Sequence, residues 1–310
     1  RDGPMSRGLG MCIRDRFIPD SVLVRLYFVF KIQNKNYLTV DADSLQSLVE
    51  KTTRDWSDEF RELALVDFGK ADGSGLARRF QNAFSGAYRE IYEPAQALKH
   101  IAQFDTLENT DELAIDFHGD NTNDSQNLNL ILFHRDSPLE LSDMIPMLEN
   151  LGFRVVMEHP YKIQADAENA VWMQDFLLTF SLNVDIDVSA VQQSFKDALL
   201  QVWRGDAEND SFNRLVIGAR LDWRSVAMLR LYARYLKQLS VPYSQDFIAD
   251  TLSKYLEITR NLVALFKSYF DPGYASEGHS ERAQGLVSKI LSGLDSISNI
   301  NEDNVIRGYL

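Results

Sequence analysis

The side chains able to do chemistry are scattered along this sequence rather than grouped. Histidines stand at 100, 118, 134, 159 and 279, with no H-x-x-x-H pair of the spacing that holds zinc. His118 and His134 fall on two predicted strands of one hairpin and could face each other, but two imidazoles leave a zinc ion short of ligands. Asp116, Asp120, Asn121, Asn123 and Asp124 offer oxygen ligands of the kind calcium uses, at a spacing that departs from D-x-D-x-D-G; they read as a solvated turn. Gly73-Ser74-Gly75 is a G-x-G, but Arg78 stands where a dinucleotide loop has its third glycine, and no predicted strand precedes it. Arg204-Gly205-Asp206 spells an adhesion tripeptide, although Gly205 fits a helix C-cap and Asp206 a loop. G-x-S-x-G, a cysteine nucleophile and a glycine-rich phosphate loop are all missing, so no catalytic, cofactor-binding or metal-binding residue is assigned.

One basic concentration stands out. Arg220, Arg224, Arg230, Arg234 and Lys237 gather around one predicted helix, with Arg230, Arg234 and Lys237 at i, i+4, i+7 on one face. Two readings compete: a solvated face salt-bridged to neighbouring acids, or a docking surface for another domain or subunit. Under the docking reading, reversing these charges leaves thermal melting unchanged; under the other, it destabilises the fold.

Composition narrows the class. The chain has 310 residues, 32 basic and 45 acidic, for a net charge of −13, which repels phosphate backbones and anionic membranes and argues against nucleic-acid or membrane partners. Hydrophobic residues at 45% and charged residues at 25% match a soluble globular protein of about two domains. The longest apolar run, residues 22–32, is broken by Arg25 and Lys31 and falls short of the ~20 residues a membrane helix needs. A lone Cys12 cannot form an internal disulfide and no secretory signal is visible, so the expected compartment is the cytoplasm.

Residues 1–16 show neither helical nor strand period; MCIRDR resembles a translated library adaptor, which would make this segment and Cys12 non-native, and the competing reading is a disordered native arm. Residues 22–32 predict a buried strand, followed by one long helix capped at Asp43 or Ser44 and stopped by Gly69. Shorter helices follow over 70–107. From 111 the apolar period becomes two: Leu113, Ile115 and Phe117, then Leu128, Leu130 and Leu132, predict a hairpin. A helix from Leu141 to Leu151, strands over 153–163 and 171–182, and a helix from about Asp187 to Gly205 complete a β-β-α-β-β-α order. The expected fold class is α+β: a ferredoxin-like antiparallel sheet with both helices on one face, followed by an α-helical bundle. In that bundle 211–220, 222–240, 244–254 and 256–270 read as consecutive helices, with two more reaching the last residue. The stripe Val305, Ile306, Tyr309, Leu310 reads as unpartnered, and both chain ends read as cut.

Several long stretches resemble the large bacterial NAD-specific glutamate dehydrogenases. They are WSDEFRELALVDFG (56–69), AYREIYEPAQALKHI (87–101), PLELSDMIPMLENLGFRVVMEHPYKI (138–163), WMQDFLLTFS (172–181), VWRGDAENDSFNRLVIGARLDWRSVAMLRLYARYLKQ (202–238) and PYSQDFIADTL (242–252). The resemblance implies that 17–68 ends one ACT-like domain, 69–107 is a helical connector, 108–204 is a complete ACT-like ββαββα domain, and 205–310 leads to a catalytic domain absent here. It further implies oxidative deamination of L-glutamate with NAD in the full-length enzyme, no cofactor in this chain, and a scaffolding, oligomerisation or allosteric role for this segment. The implied partners are the catalytic domain, other subunits of a homo-oligomer and an amino-acid effector. The family's lysine-containing substrate motif and G-x-G-x-x-G loop are both absent. The alternative is a free-standing ACT-like regulatory or interaction module without catalysis.

Overall fold

The structure is a computed structural model that describes residues 55–104, 106–107, 112–119, 127–165, 170–180, 187–272 and 281–310, with 41, 43–44 and 46, and the backbone of 11–15, 26–30 and 279–280. The chain divides into two compact units, Arg1–Arg54 and Asp55–Leu310. In the first, β1 (Met11–Asp15) pairs antiparallel with β2 (Leu26–Phe30), from Met11↔Phe30 to Asp15↔Leu26. Residues 11–15 were expected outside any element; the pairing is made by main-chain groups and needs no side-chain period. Of the strand predicted over 22–32, residues 26–30 are strand and the rest lies outside the described residues. The carboxylate of Asp41, rather than Asp43 or Ser44, takes the capping role, accepting from the backbone N–H of Ser44 at 3.3 Å.

In the second unit the first helix, α1 (Trp56–Phe80), starts after an extended Asp55 and not at residue 44. Gly69 breaks it at φ +78°, and a second helical half resumes at once. The reversal folds the two halves together, so Phe60 and Ala64 pack in one cluster with Ala77 and Phe80. The segment 56–68 thus packs with the connector helices α2 (Gly86–Ile91) and α3 (Pro94–Phe104). Trp56 lies over Phe60 at 5.3 Å and donates its indole N–H to the carbonyl of Tyr92 at 2.9 Å, tying α1 to the end of α2.

The strands β3 (Ala114–Gly119), β4 (Asn127–Arg135), β5 (Phe153–Gln164) and β6 (Ala170–Phe180) form one antiparallel sheet in the order β3-β4-β6-β5. Helix α4 (Leu141–Asn150) connects β4 to β5, and α5 (Val188–Trp203) follows β6. This is the predicted ββαββα unit. One face of the sheet, with Phe117, Leu130, Leu132 and Phe176, packs against Met144 and Leu148 of α4 and Phe195 of α5. The opposite face, with Ile131, Phe133, Ile163 and Met173, packs against Phe80, Ile101 and Phe104 of the connector helices. The sheet is therefore an inner layer, and Leu130, Ile131, Leu132 and Phe133 of β4 are buried in unbroken succession.

Beyond α5 the chain is helical: a 3-10 turn (Ser211–Arg214), α6 (Leu215–Gly218), α7 (Trp223–Gln238), α8 (Gln245–Lys254), α9 (Leu256–Phe270), α10 (His279–Leu294) and α11 (Ile300–Tyr309). Ser244 caps α8 as predicted, accepting from Phe247 N–H at 3.2 Å, and Asp222 caps α7. These helices share one continuous core with α4 and α5. The expectation that α11 lacks a partner does not hold: Val305 and Ile306 are fully buried in that core, and the Tyr309 hydroxyl donates to the Leu229 carbonyl at 2.8 Å. Among the described residues no helix is long and apolar enough to cross a membrane.

The reversal at Gly69 depends on Gly73. A Cβ at Gly73 would collide with the carbonyl oxygen of Ala64, whereas nothing lies within 4 Å of one at Gly75. Gly73→Ala is expected to lower unfolding free energy by about 2–3 kcal/mol in a urea melt, as the two halves are forced apart. Gly75→Ala is expected to be neutral or stabilising by up to about 1 kcal/mol. Equal effects would refute the close crossing.

Candidate functional site

Titratable side chains that are far apart in the sequence meet where α2 and α3 cross the sheet. On the face turned to these helices, β-register places Ala114, Phe133, Met173 and Tyr161 in one lateral row and Asp116, Ile131, Asp175 and His159 in the next. The face thus turns from apolar to ionisable within one residue pair. Tyr88 and Tyr92, one helical turn apart, and His100 of α3 close over this boundary, all three buried.

The contacts are specific. The Tyr88 hydroxyl and His100 Nδ1 share a hydrogen bond of 2.8 Å, and the Tyr92 hydroxyl donates to Asp175 Oδ2. Tyr161 meets the rings of Tyr88 and Tyr92 edge-on at 5.6 and 5.7 Å. His118 Nδ1 lies 3.8 Å from Asp116 Oδ2 at the open end of the cluster. Burial holds the His100 imidazole down to about 4, against an opposing pull from Asp116. Burial also raises Asp175, with the Tyr92 hydroxyl acting the other way, and raises the phenols of Tyr88 and Tyr92. The hydrogen bond from His118 lowers Asp116. At neutral pH the interior is therefore a neutral imidazole and two neutral phenols, suited to locking helices onto the sheet. None of its members is an activated nucleophile.

The sequence reading set His100, His118 and Asp116 against metal binding, with Asp116 in a solvated turn, whereas Asp116 lies on β3; it assigned nothing to Tyr88, Tyr92 or Asp175. The signal was present: Asp175 interrupts an apolar strand, and Tyr88 and Tyr92 stand at i, i+4. The register pairs His118 with Asn129 and His134 with Trp172, so the two histidines lie on opposite faces and do not meet. No group of three or more His, Cys, Asp or Glu side chains among the described residues could hold a metal ion. Asp120, Asn121, Asn123 and Asp124 of the acidic turn, and the side chains of Cys12 and His279, lie outside the described residues.

The candidate docking residues separate. Arg230 is buried, with Nε 2.6 Å from Asp210 Oδ2, a second nitrogen 2.8 Å from Asp210 Oδ1, and a further bond to Asn213 Oδ1 at 2.8 Å. This bidentate pair ties α7 to the 3-10 turn that Asp210 caps through the Phe212 N–H. Arg234 pairs with Glu208 in the same loop, and Lys237 is exposed in the last turn of α7. Arg230 is thus corrected from a docking residue to an internal strut: residue 230 falls on the inward side of α7, next to Leu229 and Ala233.

The architecture is that of a ferredoxin-like, ACT-type sheet enclosed between two helical layers. Three family models match in chain order: "Glutamate dehydrogenase, helical motif 2" over residues 64–107, "ACT3 domain" over 112–191 and "helical motif 3" over 207–272. Together they cover more than half of the chain, which belongs to this glutamate dehydrogenase family. The chain is 38% identical over 295 residues to the NAD-specific glutamate dehydrogenase of Halomonas elongata, 95% of this chain and 18% of that protein. It is 36% identical over 296 residues to the Pseudomonas aeruginosa enzyme of the same name, with the same coverage. The Mycobacterium tuberculosis enzyme is 29% identical over 272 residues, 86% of this chain and 16% of that relative. The chain therefore spans less than a fifth of the length of these relatives.

Two predictions follow from the geometry. The unfolded state binds a proton at His100 near pH 6.5 and the folded state only near 4, so folding stability falls as pH drops through this window, by up to about 3 kcal/mol. Asp175, raised in the fold, works in the opposite sense, so His100→Gln should flatten or reverse the decline in urea midpoint while lowering the midpoint at neutral pH. An unchanged decline would remove His100 from the account. Separately, Arg230→Ala should destabilise by about 3 kcal/mol by stranding Asp210 and Asn213, while Lys237→Glu should shift stability by less than about 0.5 kcal/mol. Similar melting temperatures for both variants would contradict the strut.

Proposed function

We propose that this chain is the helical motif 2, ACT-like and helical motif 3 segment of an NAD-dependent glutamate dehydrogenase. The whole enzyme would convert L-glutamate, NAD and water to 2-oxoglutarate, ammonium and NADH, in the cytoplasm. Within it, residues 108–204 act as an ACT-like domain and 205–310 as the helical region leading to the catalytic domain. This segment is non-catalytic: it scaffolds the subunit, supports homo-oligomeric assembly with the catalytic domain as its partner, and offers a place for allosteric control. NAD is bound elsewhere in the full-length enzyme and not by these residues.

The observation that carries this reading is the match, in one order, of three consecutive family segments to three successive structural layers. It is supported by similarity to the named dehydrogenases over 95% of the chain. A segment whose sheet is covered on both faces by its own helices is suited to transmit position rather than to admit two substrates.

The test uses the chain and a chimera. Mixed with L-glutamate and NAD, the isolated chain is expected to give no NADH above background. The Halomonas elongata enzyme carrying this segment in place of its own is expected to keep glutamate-dependent NADH formation. Turnover by the isolated chain, or a chimera that folds and assembles but does not turn over, would overturn the proposal.

A further inference from the structure

A cavity of about 390 Å³ opens between the second half of α1, the end of α3 and the adjoining ends of β4, β5 and β6. Its walls are divided evenly between apolar surface, where Leu76, Phe80, Phe104 and Val171 are prominent, and polar surface, to which the guanidinium groups of Arg79 and Arg135 belong. Arg135 stands at the end of β4. One of its terminal nitrogens donates to the Phe104 carbonyl at 3.4 Å, while its Nε is buried and has no hydrogen-bond partner. The volume is in the size range of small-molecule sites.

We infer that this cavity is a binding site for a small monocarboxylate with a branched aliphatic or aromatic body. The planar fork of a guanidinium matches two carboxylate oxygens. The apolar part of the walls takes up the body of the ligand. No Asp or Glu is among the described residues lining the cavity. The Phe104 carbonyl is already engaged by Arg135. Among these described lining residues an α-ammonium group finds no counter-charge, so the site selects the carboxylate over the amino acid of the same skeleton. Because the ligand bridges α1, α3 and the sheet, binding couples the connector layer to the ACT-like domain. The inference does not depend on the dehydrogenase reaction and can fail or stand apart from it.

Isothermal titration of the full 310-residue chain with 4-methylpentanoate, leucine and inorganic phosphate tests the assignment. Saturable binding of 4-methylpentanoate is expected, at least about ten-fold tighter than leucine or phosphate, the ratio expected for one charge-assisted hydrogen bond against an unpaired charge. Arg135→Gln and Arg79→Gln should each weaken it by about ten-fold, and Arg135→Lys, which keeps the charge but loses the fork, by less. Should Arg135→Gln not fold, the exposed Arg79 carries the comparison. No binding, equal binding of leucine, equal binding of phosphate, or affinity unmoved by both arginine substitutions would each overturn the proposal.

Discussion

The organisation of residues 55–310 depends on one constraint: a four-stranded sheet with apolar side chains on both faces has to be covered twice. Strand β4 states the requirement most plainly, since Leu130, Ile131, Leu132 and Phe133 point alternately up and down and are all buried. The two helices of the ββαββα unit cover one face, and α1–α3 are what the other face demands. Burying that second face also forces the reversal at Gly69, because the connector must fold back on itself to present Phe60, Ala64, Ala77 and Phe80 together.

Polar groups enter this apolar frame at defined seams. Gln174, almost fully buried, exchanges hydrogen bonds with both backbone groups of Leu139 and so fixes the entry to α4. Tyr88, Tyr92, His100 and Asp175 do the same where α2 and α3 meet the sheet, and Arg230 with Asp210 where α7 meets the 3-10 turn. Each seam joins elements separated by many residues. Polar pairing specifies which helix sits where in layers whose apolar contacts are non-directional.

The sequence made the element order legible because its apolar period changes sharply, from three or four to two near residue 111 and back after Gly205. Strand pairs and capped helices then follow from local signals such as Ser244 and Pro94. What the period could not supply is which faces meet. Leu128, Leu130 and Leu132 announced a half-buried strand, and only the register reveals that Ile131 and Phe133 are covered as well. For the same reason Arg230, Arg234 and Lys237 looked equivalent on a helical wheel, although the first is a buried strut and the last, about two turns on, a solvated lysine. The polar cluster was illegible because its members come from α2, α3, β3, β5 and β6, and no local spacing reports such a meeting.

The sheet also separates two apolar clusters that scarcely know of each other except through it. Close-packed interiors compress little, so where α3 lies directly on Phe133 the sheet meets it as a rigid surface. The four strands stand as a stiff diaphragm between the two clusters.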